Sequence, residues 1–341
     1  MPPTAAAAVV FASALDAAVA EPPTRIHPVA LFGRVVARVD RGGDGSGSGG
    51  WSHPRVVGLI AAVLLPVLAA AVAAAAVAIG SVTHPWVGAA VAGLVLFSTT
   101  SLRALLDRAR DVIAASDADL DAARHDLRAL AGRDATSLDA AHVRSAAVES
   151  LAENLADGLV APLAAFVAVV AVGPLVGGVS VAGPDVGLAL AAGAAAWVKA
   201  VNTLDSMLGY RSKPVGWAPA RLDDAVMWLP ARLSALLLGV AGGAPGLPLR
   251  RRVRALARRP ASPNSGWPMA TMAAVLPARL TKPEAYDLDP NGPTGGRGDR
   301  AAAGPGDTAS LPDVATATRA VGLTRRAGLL AAAVTGVVTW F

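Results

Sequence analysis

An all-α bundle of membrane-embedded helices is the fold class that this sequence predicts, and three observations predict it. Charged residues make up only 16% of the 341 positions, against roughly 25% in a typical soluble domain. Hydrophobic residues reach 54% while aromatics supply 4%, so alanine, valine and leucine carry the hydrophobicity, which favours closely packed helices over a β-sandwich. The apolar residues are gathered into about five or six segments, of which the clearest is long enough to cross a ~30 Å hydrocarbon core. Residues 1–286 and 315–341 are expected to form a single membrane-embedded helical domain, with 41–50 a flexible linker and 287–314 a disordered one. The chain has no cysteine, which excludes a disulfide framework, a thiolate metal site and a cysteine nucleophile. The net charge of +5 reads first as positive-inside topology. Nucleic acid is not expected among its partners.

Residues 4–20 predict an alanine-rich helix interrupted by Asp16, and without a basic n-region before it a secretory signal is not expected. Pro22, Pro23 and Pro28 then enforce an extended approach to a short helix that starts near Pro28. His27 stands there, where a histidine more often caps or packs than binds. The segment RGGDGSGSGG, residues 41–50, is a tether. Its Gly45, Gly47 and Gly50 match G-x-G-x-x-G by chance, since no βαβ unit surrounds them, and no P-loop pattern occurs anywhere in the chain.

Val56 to Ile79 is apolar throughout and predicts the clearest span; a turn at residues 80–85 leads to a second apolar run, Trp86 to Phe97. Arg55 before this hairpin and Arg103, Arg108 and Arg110 after it put both outer ends on the cytoplasmic side. Residues 101–133 mix Arg and Asp with alanine and leucine at helical spacing and predict cytoplasmic helices ending at Gly132. Thr136 and Asp139 predict a capping box that opens the acidic stretch RSAAVESLAENLADGLVAPL, residues 144–163.

In that stretch Glu149, Glu153 and Asp157 recur every four residues, which on an α-helix confines them to an arc of about 80°. Val148, Leu151, Leu155 and Leu159 form an apolar stripe opposite, so a solvated acidic face is the simpler interpretation. Gly158 and Pro162 predict a break or kink, after which residues 159–182 are apolar. Three acids just before a span invite the alternative of a site.

The next apolar run ends in WVKAVNTLDSMLGY, where Lys199, Asn202, Thr203, Ser206 and Tyr210 lie within about 100° on a helix. An interfacial helix end with a snorkelling lysine accounts for them equally well. Asp205 points away from that stripe and stands as a separate candidate. In ARLDDAVMWLPARLSALLL, Arg221, Asp224 and Arg232 share a face, and Pro230 predicts a kink. The basic cluster from Arg250 to Arg259 returns the chain to the same side, so residues 226–247 are expected to be re-entrant or laterally packed. SPNSGWP, residues 262–268, is turn chemistry before a helix, with N–H groups near Ser265 free to meet an anion. The final run, Ala327 to Phe341, is short for a span.

Carboxylates and asparagines without cysteine form a hard-oxygen set suited to Mg²⁺. Lysine and arginines beside such a set suit phosphates, so phosphoryl transfer is the chemistry the residues point to.

VESLAENLADGLVAPL, KAVNTLDSMLGY, ARLDDAVMWLPARL and SPNSGWP resemble, in this order, the successive signatures of the adenosylcobinamide-phosphate synthase family, integral membrane enzymes of cobalamin biosynthesis. HPVALFGR and the GRD at residues 132–134 resemble it too. The resemblance implies an ATP- and Mg²⁺-dependent ligase that joins aminopropanol phosphate, or a related amino alcohol, to adenosylcobyric acid, working in the cell membrane with its site on the cytoplasmic side. Two departures stand out: Ala20-Glu21-Pro22 replaces a Gly-Asp-Pro, and PARLTKPEAY lacks the glycines usual after SPNSGWP.

Both readings together predict the following roles. Glu149, Glu153, Asp157, Asp223 and Asp224 hold Mg²⁺ on ATP; Lys199, Arg221 and Arg232 neutralise phosphate. Asn154, Asn202, Ser206, Asn264 and Ser265 bind substrate or nucleotide. Lys199, Glu153, Asp205 and His27 are the catalytic candidates. The substrate carboxylate is expected to attack ATP, giving an acyl phosphate and ADP, before the amine displaces phosphate. The rivals are a transporter whose acids form an ion or corrinoid pathway, and a non-catalytic membrane partner of the same pathway. Homo-oligomerisation is left open.

Overall fold

The protein is described here from a computed structural model covering residues 3–40, 51–131, 134–172, 184–210, 212–292 and 308–341. In chain order the helices are α1 (Thr4–Val19), α2 (Pro28–Asp40), α3 (Pro54–Thr83), α4 (Pro85–Thr99), α5 (Leu102–Ala118), α6 (Leu120–Ala131), α7 (Ala140–Leu155) and α8 (Ala161–Val172). They continue as α9 (Pro184–Leu208), α10 (Trp217–Val226), α11 (Trp228–Ala241), α12 (Arg251–Ala257), α13 (Gly266–Val275) and α14 (Val314–Trp340). The described strands are β1 (Leu280–Lys282) and β2 (Tyr286–Leu288), an antiparallel pair in which Thr281 faces Asp287. The expected all-α polytopic bundle is what the chain forms.

Among the described residues five helices are long and apolar enough to cross a membrane: Pro54–Thr83, Pro85–Ala118, Ala140–Val172, Val186–Leu208 and Val314–Trp340. A sixth results if the broken pair Pro214–Val226 and Trp228–Ala241 counts as one span. Along α3, Val56, Leu59, Ile60, Val63, Leu64 and Val67 are each more than half exposed, a surface that suits lipid rather than water.

The helices differ from expectation at several points, each for a local reason. Asp16 does not interrupt α1, because its carbonyl accepts the Ala20 N–H in the last turn. Asp139 alone is the N-cap of α7, accepting the His142 N–H, while Thr136 bonds to Asp134 instead. Gly158 and Pro162 do not end the acidic helix; a π-turn over Ala156–Val160 carries it on as one candidate span. Pro230 produces no kink, since the break falls at Met227 and Pro230 sits in the first turn of α11, where its missing N–H does no harm. The last helix starts at Val314, not Ala327, and its 27 residues are long enough to span. Residues 287–292 and 308–314, expected to be disordered, are built into the fold: Asp289 accepts from the Asn291 and Ala309 N–H groups, and the Arg279 N–H donates to Ser310. The tether at 41–50, with its fingerprint glycines, and the rest of the 287–314 segment lie outside the described residues, as do Gly132 and Arg133.

The packing divides into two compact units: residues 1–101, 157–227 and 331–341 form the first, and 102–156 with 228–330 the second. In the first, α3, α4, α8 and α9 pack around one another and α1 lies on α4. Val36, Leu204, Leu208 and Val215 form a fully buried core beneath Phe32, Val39 and Met207, each such side chain contributing about 1.5–3 kcal/mol. Lys213 closes this core at its edge, 2.8 Å from Asp40 and 5.2 Å from the Tyr210 ring centroid. Gly216 is needed here, because a Cβ would collide with the Leu208 carbonyl oxygen. In the second unit, Leu127, Leu151, Leu155, Leu238, Leu256 and Met269 are among the largest fully buried side chains.

Ala20 ends α1 at φ 69°, ψ −64°, with the Glu21 N–H donating to the Val19 carbonyl at 3.0 Å. That is a γ-turn, a strained conformation for any residue with a Cβ. The glycine of the resembled Gly-Asp-Pro would relieve it. Ala20→Gly is therefore expected to raise stability by about 0.5–1 kcal/mol, read as a higher unfolding midpoint in detergent.

Candidate active site

The first unit gathers ionisable groups from four stretches of chain around the C-terminal end of α9. Lys199, Asn202 and Asp205 recur every three residues, so they form a ridge that drifts around the helix by about 60° per step. Asn202 is its centre. Its side chain acts on the carboxyls of both Asp157, on the π-turn, and Asp223, on α10. Lys199 lies in electrostatic reach of Asp157 and Glu21, while Asp205 faces Asp157, Asp223 and Asp224. Asp205 was expected to point away from the working face. The ridge is centred on Asn202 rather than Ser206, which is why it does not.

The same geometry removes two residues from that face. Ser206 donates to the Asn202 carbonyl and Thr203 to that of Lys199, both at 2.8 Å, so their hydroxyls are engaged with their own helix. Arg221 is 71% exposed and meets Asp224 at 3.6 Å, a surface pair of small energetic weight. The π-turn explains why Asp157 escapes the four-residue spacing argument: a wider turn changes which side chains share a face.

Glu21 was the residue in the departure Ala20-Glu21-Pro22, and the structure gives it partners. It acts electrostatically on both Lys199 and His27. The γ-turn at Ala20 aims it there. His27 Nδ1 accepts the Val29 N–H at 3.2 Å, so the neutral ring carries its proton on Nε2. Its pKa is lowered from the usual 6.5, chiefly by burial, with Glu21 opposing and Lys199 reinforcing the shift. The folded state thus binds this proton less readily than the unfolded chain. The stability that follows is fully present above pH 6.5 and is lost as pH falls below 6.5 toward the folded value. His27→Gln is expected to flatten that part of the stability profile, measured by unfolding between pH 7.5 and 5.5.

In the second unit Glu149 is fully buried and bonded on both oxygens: Ser145 Oγ donates to Oε1 at 2.9 Å and Tyr286 OH to Oε2 at 2.6 Å. Ser145 Oγ also accepts the Thr281 N–H at 2.9 Å. The acid therefore latches the β-hairpin onto α7, with a protein donor on each of its oxygens. Asn154 donates to the Ser150 carbonyl, one turn back on α7. Glu153 is half-buried beside it.

Arg232 and Asn264, two expected binding residues, do meet. The guanidinium donates to Asn264 Oδ1 and to the Trp228 carbonyl, each at 2.7 Å, and lies 4.6 Å from the Trp228 and 4.8 Å from the Trp267 ring centroids. Cation–π contacts of this kind hold a guanidinium plane in place. Ser265 precedes α13 without a side-chain cap, its N–H donating to Ser262 Oγ. Gly266 follows because α13 starts against Ala257, whose carbonyl oxygen a Cβ would strike.

Among the described residues no group of three or more His, Asp or Glu side chains is arranged to hold a metal ion by protein ligands alone. Mg²⁺ needs less, since one or two carboxylates with substrate phosphates suffice. Asp223 Oδ1 is buried without a hydrogen-bond partner, an acceptor that a cation would satisfy. With the Asp157 and Asp205 carboxyls in electrostatic reach of it, the donor chemistry fits Mg²⁺.

Sequence reasoning missed Glu21, Tyr286, Trp228 and Trp267. A proline after Glu21 was the only local signal for the first, and an isolated tyrosine in PEAY gave none for the second.

These features define a polytopic membrane helix bundle with a lysine-containing acidic cluster at the ends of its helices. The family profile described as CobD/Cbib protein matches residues 9–311, and the chain belongs to that family. It is 35% identical over 293 residues to the probable cobalamin biosynthesis protein CobD of Methanothrix thermoacetophila, covering 82% of this chain and 84% of that one. It is 36% identical to the cobalamin biosynthesis protein CobD of Rhodobacter capsulatus, with 76% and 75% covered. For the protein of that name from Klebsiella pneumoniae the identity is 37%, with 80% and 81% covered. No solved structure gives a significant match.

Proposed function

We propose that this chain is an ATP-dependent amide ligase of cobalamin biosynthesis, joining aminopropanol phosphate or a related amino alcohol to adenosylcobyric acid to give adenosylcobinamide phosphate. The observation that carries the reading is the cluster in which Asn202 acts on both Asp157 and Asp223 while Lys199 lies in electrostatic reach of Asp157 and Glu21. Membership of a family whose relatives are named cobalamin biosynthesis proteins supports the pathway. The resemblance of the four motifs supports the reaction.

A carboxylate and an amine do not condense readily in water. ATP activates the corrinoid carboxylate as an acyl phosphate with release of ADP, and the amine then displaces phosphate. Lys199 provides a point charge for phosphate oxygens, worth more in a desolvated site than in water. Asp157 and Asp223, with Asp205 and Asp224 in support, would hold Mg²⁺ together with the substrate phosphates. When bound, that ion neutralises and orients the triphosphate. Asn202 fixes the two carboxylates so that little reorganisation is needed. His27, with its Nε2 proton, donates a hydrogen bond to substrate rather than acting as a base in its neutral form. Within the second unit, Arg232 against the Trp228 and Trp267 rings offers a guanidinium to an anionic group.

The test is purified full-length protein in detergent with adenosylcobyric acid, aminopropanol phosphate, ATP and Mg²⁺. Adenosylcobinamide phosphate and ADP should appear together, and omitting any one component should abolish both. If no product forms while vesicles containing the protein take up a corrinoid or an ion, the transporter reading replaces this one.

A further inference from the structure

Within the second unit, a cavity of about 700 Å³ opens between the end of α11, the end of α13 and one face of α14. Its α14 wall carries Arg319, Gly322 and Arg326, spaced i, i+3, i+7 and so on one stripe of the helix. Val240, Val275 and Leu276 make the facing wall apolar. Nothing in the reaction proposed above uses these residues.

Three observations say what the cavity suits. Arg319 donates to Thr316 Oγ1 at 3.0 Å and lies in electrostatic reach of Asp313, but among the described residues neither arginine makes an ion pair within 4 Å, so both guanidiniums keep donors for a ligand. Gly322 leaves bare backbone between the two guanidiniums, and a Cβ built there meets no atom within 4 Å. The two arginines stand about 10 Å apart along the axis, with open space over the glycine between them. The same helix runs on as a candidate span with Leu329 exposed, so its arginine end belongs at the polar margin of the hydrocarbon, where lipid phosphates lie. The volume falls in the range of small-molecule sites.

We propose that this cavity seats the phosphate head of an anionic phospholipid, with Arg319 and Arg326 on the phosphate oxygens and the apolar wall against the start of the acyl chains. A water-soluble phosphate compound shares the guanidinium chemistry, but the apolar wall offers it nothing. The lipid is the occupant that uses both surfaces.

The test uses the full-length protein in neutral detergent, titrated with short-chain phosphatidylglycerol, short-chain phosphatidylcholine and glycerol phosphate, with bound ligand counted by native mass spectrometry. Phosphatidylglycerol should bind, and the other two should bind at least tenfold more weakly. The double substitution R319Q/R326Q should weaken phosphatidylglycerol roughly 10- to 30-fold. G322W, whose Cβ meets no atom within 4 Å and whose ring would occupy the open space, should weaken it comparably. R325Q removes one charge from the exposed residue beside the stripe and should change binding less than twofold. Phosphatidylcholine or glycerol phosphate binding as tightly as phosphatidylglycerol overturns the proposal. So does R325Q matching half the effect of the double substitution, or G322W and R319Q/R326Q binding as the natural protein does.

Discussion

Lys199→Met is expected to lower kcat about 10²- to 10³-fold, the loss seen when one preorganised charge-stabilising donor is removed. Methionine keeps the apolar stem and removes the ammonium from electrostatic reach of Asp157 and Glu21. The protein should still elute as a folded species in detergent, because the core of Val36, Leu204, Leu208 and Val215 does not include Lys199. Asp157→Asn should act differently, raising the Mg²⁺ concentration needed for half-maximal rate, since it keeps the Asn202 contact but removes a charge. Steady-state kinetics across a Mg²⁺ series separates the two. An unchanged kcat in Lys199→Met would remove this lysine from the reaction centre.

Glu149→Ala is expected to destabilise the protein by about 3 kcal/mol, a combination of a lost buried side chain and two donors left without an acceptor. Tyr286→Phe removes one of those donors and should cost about 1.5–3 kcal/mol. If the latch is a unit, the double substitution should cost less than the sum by at least about 1 kcal/mol. Denaturant unfolding measures all three. Extra Mg²⁺ should not rescue Glu149→Ala, because its oxygens are occupied by Ser145 and Tyr286. Rescue by Mg²⁺ would place Glu149 in the metal-binding set.

Much of the fold was legible because long apolar runs are a strong local signal. Val56–Ile79 was readable to within a few residues of α3, whose bounds are Pro54–Thr83. The last helix was read short because Arg319, Arg325 and Arg326 interrupt its hydropathy while its hydrogen-bonded backbone continues to Val314. At the candidate site, the polar residues of α9 were visible but their working face was not. A stripe drawn through Lys199, Thr203 and Ser206 ignores that serine and threonine bond back to their own helix, leaving the Lys199–Asn202–Asp205 ridge. The shared spacing of Glu149, Glu153 and Asp157 misled for two reasons. A π-turn intervenes before Asp157, and the partners of Glu149 come from a hairpin more than 130 residues later, with Tyr286 separated by 137 positions. Periodicity along one helix carries no information about either. Glu21 was hidden by a γ-turn, whose strain at Ala20 only the backbone shows.

The central claim is that the corrinoid carboxylate is activated by phosphoryl transfer and captured by an amine. Adenosylcobyric acid labelled with ¹⁸O in its free carboxylate tests it most directly, with the full-length protein, ATP, Mg²⁺ and the amino-alcohol phosphate. One ¹⁸O should appear in the inorganic phosphate released for each adenosylcobinamide phosphate formed, and the transfer should fall with kcat in Lys199→Met. Product formed without ¹⁸O in phosphate, or label found in AMP, would contradict the account.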